Sequence, residues 1–310
     1  MNDYFCGWYY KCQSEKDTLA VIPALHRTGG KTTCSIQLIT EAASWSVPFP
    51  GSAFREDGGQ VAIGENRFGP QGLRLDLHAP GLFATGTLRF GPFTPLRYDI
   101  MGPLRYVPFL ECRHSVFSMR HTVAGTLQIN GVPRVFQNGT GYAEGDRGRS
   151  FPKRYVWTQC VLPGGALMLA AADIPWGGLH FIGVTAAVLW QGKQYRLATY
   201  LGAKAVAIQN GAVTIRQGHA CLTARLLEPA GQPLRAPSGG AMVRTIHEHA
   251  ACRAFYRFQI GEDTLFALEV PNASFEYEFS KGGPCLTRFG REAIMASRDH
   301  LQGAAYAEHH

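Results

Sequence analysis

Residues 141–159 read GYAEGDRGRSFPKRYVWTQ. Its nineteen positions hold two acids (Glu144, Asp146), three arginines, a lysine, a proline and four aromatic rings. The second half, Tyr155-Val156-Trp157-Thr158-Gln159, alternates with period two and predicts a strand with Tyr155, Trp157 and Gln159 on one face. The first half is punctuated by Gly141, Gly145 and Gly148, which predicts a loop. Glu144 and Asp146 stand two apart, so an extended backbone points both the same way. A rigid strand joined to an ionisable loop is where chemistry is expected first.

On either side of this stretch the chain consists of short apolar-alternating segments separated by turns. Asn130-Gly131 and Asn210-Gly211 each stand between two such segments and predict hairpins. Residues 91–110 carry Pro92, Pro95, Pro103 and Pro108. They read as a loop that nonetheless buries Tyr98, Ile100, Met101, Leu104 and Tyr106. After residue 150 the strand pattern restarts, which predicts two β domains, 1–150 and 151–310, with the central stretch at their junction. Strands at this spacing imply a sandwich or barrel architecture. Only residues 286–306 read as a helix.

The composition narrows the function. Charged residues make up 17% of the 310-residue chain, below the roughly 25% of an average soluble protein. The net charge is +7, but Lys and Arg are scattered singly, and a nucleic-acid partner is not expected. The basic balance does suit peripheral contact with an anionic membrane surface. The N-terminal residues lack a signal-peptide pattern, and the longest apolar runs fall short of the ~18 residues of a membrane helix. A cytoplasmic protein is therefore expected. The eight cysteines form no CxxC pair and read as reduced, mostly buried thiols.

Two accounts of the acids stand side by side. Glu144 and Asp146 act as a general acid, or an acid and a base, at a pocket mouth. Alternatively they pair with Arg147 and Arg149 to lock the loop. Trp8, Tyr9, Tyr10, Trp157 and Trp176 either line a ligand cavity or pack a core. Asp99, Glu111, Arg113 and His114 read as a surface loop rather than a cavity-side cluster. His247, His249 and Cys252 share metal-ligand chemistry, but no further ligand accompanies them, so no metal is expected. GxSxG, HExxH, P-loop and GxGxxG motifs are all lacking, and no cofactor is expected.

Three stretches together resemble the tocopherol cyclase family. Tyr4-Phe5-Cys6-Gly7-Trp8-Tyr9-Tyr10-Lys11 is similar to the family's opening motif. Tyr142, Glu144, Gly148, Phe151, Pro152, Lys153, Arg154, Tyr155, Trp157, Gln159 and Cys160 match its long central motif. Gly231–Pro237 is similar to a late loop. Cys6 stands where the family has Glu, and Arg147 where plant members have Trp. The resemblance implies an all-β fold of two lipocalin-like domains and the acid-catalysed cyclisation or isomerisation of an apolar, prenyl-phenol-like molecule. A proton added to an alkene gives a tertiary cation, which the phenolic oxygen captures. Carried over to this chain, Glu144 or Asp146 supplies the proton and Trp8, Tyr10 and Trp157 wall the cavity. Tyr142 or Gln159 orients the oxygen, and Arg147 joins the substrate-binding set. A lipocalin-like carrier of an apolar molecule is the alternative, and a β-domain pair serving a protein partner is a third.

Overall fold

The computed structural model describes residues 3–279 except 109, 177, 229 and 230. The helix expected at 286–306 lies outside the described residues. The first part of the chain forms strands β1 (Tyr4–Gln13), β2 (Thr18–Thr28), β3 (Lys31–Thr40), β4 (Ser44–Pro50), β5 (Phe54–Asp57) and β6 (Gln60–Ile63). It continues with β7 (Asn66–Gly69), β8 (Gly72–Ala79), β9 (Leu82–Phe90), β10 (Cys112–Ile129) and β11 (Val132–Gly148). These make one sheet in the order β4-β3-β2-β1-β11-β10-β9-β8-β7-β6-β5.

The second sheet starts with β12 (Tyr155–Leu162), β13 (Gly165–Trp176), β14 (Leu179–Trp190), β15 (Lys193–Ala198) and β16 (Lys204–Gln209). It is completed by β17 (Ala212–Gln217), β18 (Ala220–Leu226), β19 (Gln232–Ser238), β20 (Ala241–Ile260) and β21 (Asp263–Tyr277). Its order is β15-β14-β13-β12-β21-β20-β18-β17-β16, with β19 paired to the first half of β20. The fold is all-β, as the sequence predicts. Among the described residues, the edge strands of each sheet, β4 and β5 in the first and β15 and β16 in the second, do not pair with each other, so neither sheet closes into a barrel. The hairpin signals hold: Asn130-Gly131 and Asn210-Gly211 both have positive φ at each residue, the backbone of a type I′ turn.

Residues 141–148 are not the predicted loop. They complete β11, held extended by β1 on one side and β10 on the other. The glycines serve close approach instead: a Cβ on Gly141 would come within 2.3 Å of His121 Nε2. In the proline-rich segment Ile100 is buried as expected, whereas Tyr106 is 77% exposed.

Side-chain alternation divides the molecule into three apolar layers. Tyr10, Cys12, Leu19, Leu38, Leu88 and Ala143 belong to a core enclosed by the first sheet. Val156, Leu169, Val188, Leu222, Phe258 and Phe275 belong to one enclosed by the second. Between the sheets lies a third layer, including Tyr9, Met119, Tyr142, Tyr155, Trp157 and Ile246. The central strands are therefore buried on both faces, which is why polar side chains such as Glu144, Gln159, Glu248 and Glu276 are removed from water. No disulfide joins the described cysteines. No helix among the described residues is long and apolar enough to cross a membrane.

Candidate active site

Strand register builds the site. On β1, Gly7 lies opposite Asp146 and Tyr9 opposite Glu144. On β10, His114 lies opposite Asp146. Across the gap, Trp157 on β12 and Glu248 on β20 both lie opposite Glu276 on β21. Residues directly opposite on antiparallel strands share a face. The two sheets thus aim these polar rows at each other. Between them is a cavity of about 190 Å³, far above the roughly 10–15 Å³ that one water needs. Its apolar walls include Phe5, Ile22, Leu104, Phe151, Phe181 and Leu234. Glu144, Asp146, Glu248 and Glu276 all reach it, together with His114.

Glu144 sits at the centre of a donor set. Its Oε2 accepts from the Tyr142 hydroxyl and, at 3.2 Å, from Trp157 Nε1. His114 Nε2 lies 3.3 Å from the same oxygen, at an ion-pair distance but at an angle that makes no hydrogen bond. His114 Nδ1 is 3.0 Å from Asp146 Oδ1. Burial opposes charge on His114, but the two carboxylates and their contacts outweigh it and hold the imidazole protonated well above its usual range. The Cys112 thiol donates to Asp146 at 3.4 Å, and burial followed by that carboxylate raises it far above the thiolate range.

The second sheet contributes the opposite electrostatics. Tyr9 donates to Glu248 Oε1 at 2.6 Å and lies 3.1 Å from Ser274 Oγ. Glu248 Oε2 has no partner among the described residues. Burial pushes the Glu248 carboxyl up to about 7, against the pull of the Tyr9 hydrogen bond. Tyr155 donates to Glu276, and burial followed by the charge of Glu248 holds Glu276 well above the ordinary carboxylate range. Behind them, Lys11 is buried and donates to the Asn272 carbonyl at 2.7 Å, and burial lowers it to about 8. The cavity therefore joins an ion cluster on one sheet to two carboxylic acids on the other.

The residues expected from the sequence divide. Glu144, Asp146, Tyr142 and Trp157 come together. Trp8 touches the cavity but turns toward the first sheet's core, stacked on Phe54 at 6.0 Å. Tyr10 points the same way, against Phe68 and Phe90, and does not line the cavity. Gln159 is buried between the sheets with neither amide atom hydrogen-bonded, away from the cavity wall. Arg147 is exposed on the other face of β11 and forms no ion pair with either acid. The Arg147 and Arg149 pairing is thus corrected: His114 is the counter-ion. The predicted surface loop is corrected at His114, which β10 carries into the site, whereas Asp99 and Glu111 are exposed and outside the strands. Tyr9, one of the aromatics read as cavity wall or core, does line the cavity, whereas Glu248 and Glu276 carried no sequence signal beyond their chemistry.

One group of described residues has metal-ligand spacing: donor atoms of His114, Glu144 and Asp146 lie within 4.8 Å of one another. A divalent ion there would have to displace a proton from the His114 imidazole, whose Nδ1 meets Asp146 and whose Nε2 lies beside Glu144. His247, His249 and Cys252 do not assemble as a ligand group.

The sequence matches no family model and no curated protein. Solved structures share the fold. A candidate AttH from Nitrosomonas europaea superposes with a TM-score of 0.54 at 13% identity, over 91% of this chain and 94% of that one. CghA with Sch210972 gives 0.53 at 12% identity, and CghA alone 0.52 at 11%, each over 91% of this chain and 90% of its own. At such identities the likeness is one of fold.

Proposed function

We propose that the chain is an enzyme that cyclises or isomerises an apolar small molecule by acid catalysis in the cavity between its sheets. The observation that carries this is the pair of buried acids, Glu248 and Glu276, at the polar end of an otherwise apolar cavity. A carboxylic acid that keeps its proton near neutral pH is what protonation of an alkene requires. Glu248, which lines the cavity and leaves Oε2 without a partner among the described residues, is the proposed donor. Tyr9 and Trp157 offer ring faces to the cation that forms. Asp146 and Glu144, held by His114, supply a fixed negative field beside it. Capture by a phenolic oxygen releases that oxygen's proton to a carboxylate, so substrate and product are isomers. The apolar walls exclude the water that would otherwise trap the cation.

The central-motif resemblance to the tocopherol cyclase family supports this reading and makes prenylated phenols the first substrates to try. It departs from the family pattern by taking the proton from the second sheet rather than from Glu144. The test is turnover of a prenyl-phenol panel by wild type, Glu248→Gln and Glu276→Gln, read by mass spectrometry of the products. A cyclised product of unchanged mass from wild type, reduced at least about 100-fold in Glu248→Gln, is the expected result. The rate should fall as pH rises through about 7, where Glu248 loses its proton. Bound but unaltered compound in wild type and both variants would assign a carrier instead.

A further inference from the structure

The polar end of the cavity contains more acid than the proposed reaction uses. Glu248 and Glu276 lie directly opposite each other on neighbouring strands, an arrangement that disfavours two like charges. Each accepts from a tyrosine hydroxyl, Glu248 from Tyr9 and Glu276 from Tyr155, and no ion pair reaches either among the described residues. The cations nearby are committed elsewhere. His114 on β10 is held by Glu144 and Asp146 on β11. Lys11 on β1 donates to the Asn272 carbonyl and lines no part of the cavity. Arg235 on β19 also lines the cavity, but the residue is exposed and its guanidinium donates to Thr245 Oγ1. Glu248 is 0% exposed, faces the cavity, and leaves Oε2 without a partner.

A hydrocarbon ligand would be met better by apolar or amide side chains at these positions. A ligand carbonyl needs one donor and accounts for one of the two acids. A cation accounts for both, and for the rings around them, since aromatic faces attract ammonium groups most strongly when water is excluded. We infer that the cavity takes an apolar molecule bearing one basic nitrogen, with its ammonium group seated between Glu248 and Glu276 and beside Tyr9 and Trp157. This rests on the cavity being the working site. An amine so held occupies the place of the developing cation and, by ionising Glu248, withdraws the proton that the alkene would take, so it is a competing ligand of the cavity and not a substrate of the proposed reaction.

Entry of a cation favours the charged form of a neighbouring carboxyl, so binding should expel a proton. The experiment is calorimetric titration with geranylamine, geraniol and geranic acid, which share one carbon skeleton and differ in the head group. It is run at about pH 6.5, just below the Glu248 midpoint, in buffers of different ionisation enthalpy. Geranylamine is expected to bind at least about tenfold more tightly than geraniol, releasing about one proton. Glu248→Gln should lose that preference while still binding geraniol. Geraniol or geranic acid binding as tightly as the amine, or an amine heat independent of buffer, overturns the inference and leaves the cavity as the binding site. Binding of none of the three by folded wild type removes the cavity reading and this inference together.

Discussion

At the scale of single residues, Glu248 sets the protein's dependence on pH. Burial moves its carboxyl from 4.5 to about 7, so the folded state holds this proton more tightly than the unfolded chain does. The stabilisation is therefore full below about pH 4.5 and is lost as pH rises through about 7. Each pH unit of that interval is worth about 1.4 kcal/mol. Glu248→Gln keeps an acceptor for Tyr9 and has no proton to lose. Urea unfolding from about pH 5 to 8 is expected to show wild type weakening by a few kcal/mol relative to the variant. His114 contributes a fall of the same sign at higher pH, and the difference between the two proteins isolates Glu248. A constant difference across that range would mean that Glu248 is already ionised in the folded protein. The sequence made Glu144 and Asp146 visible because period two alone puts them on one face. Glu248 and Glu276 were not visible, because their hydroxyl partners lie 239 and 121 residues away, and no local spacing encodes such a meeting. His114 was masked by the prolines before it, which made a strand start look like the end of a loop.

At the scale of elements, β1 shows what a one-residue change of face does. The aromatic run Trp8-Tyr9-Tyr10 announced a strand, but not which parity meets the second sheet, and parity decides everything about a side chain's surroundings. Phe5, Gly7, Tyr9 and Lys11 turn toward the second sheet, whereas Trp8 and Tyr10 turn into the first sheet's core. The expected wall residues were therefore displaced by one position. Gly7 offers a test of this assignment. A Cβ there would meet nothing nearer than Ala24 Cβ at 3.6 Å and the Pro23 carbonyl at 3.9 Å, so a small side chain fits. Gly7→Val adds a residue that strands favour and projects its methyl groups beside Asp146 into the cavity. Stability should change by no more than about 1 kcal/mol, while ligand affinity falls at least about tenfold. Thermal unfolding with parallel ligand titration reads both. A large loss of stability with affinity intact would mean that this face of β1 is packed core rather than cavity wall.

At the scale of the whole molecule, the strand pattern restarts near residue 150, where β11 of one sheet gives way to β12 of the other. It gave no hint of how they are fastened, because the fastening pairs strands from distant parts of the chain. Gln37 on β3 copies a backbone bridge: its amide donates to the Arg235 carbonyl and accepts from the Arg235 N–H, both at 2.9 Å. Ser44 Oγ donates to the Pro233 carbonyl at 2.6 Å two residues along the same strand. β19 has β20 on one edge, so the Gln37 side chain satisfies the other edge where the first sheet covers it. Gln37→Ala would leave the Arg235 N–H and carbonyl, both part-buried, without this partner, at about 1–2 kcal/mol each. The expected result is a loss of roughly 2–4 kcal/mol in urea unfolding with the dependence on urea unchanged, because the apolar layer around Tyr9, Tyr142 and Trp157 still makes the sheets unfold together. Gln37 and Arg235 also line the cavity, so ligand affinity should fall in the same variant. A second transition, or a shallower dependence on urea, would show instead that each sheet is stable around its own core and that the interface holding the acids is a separable contact.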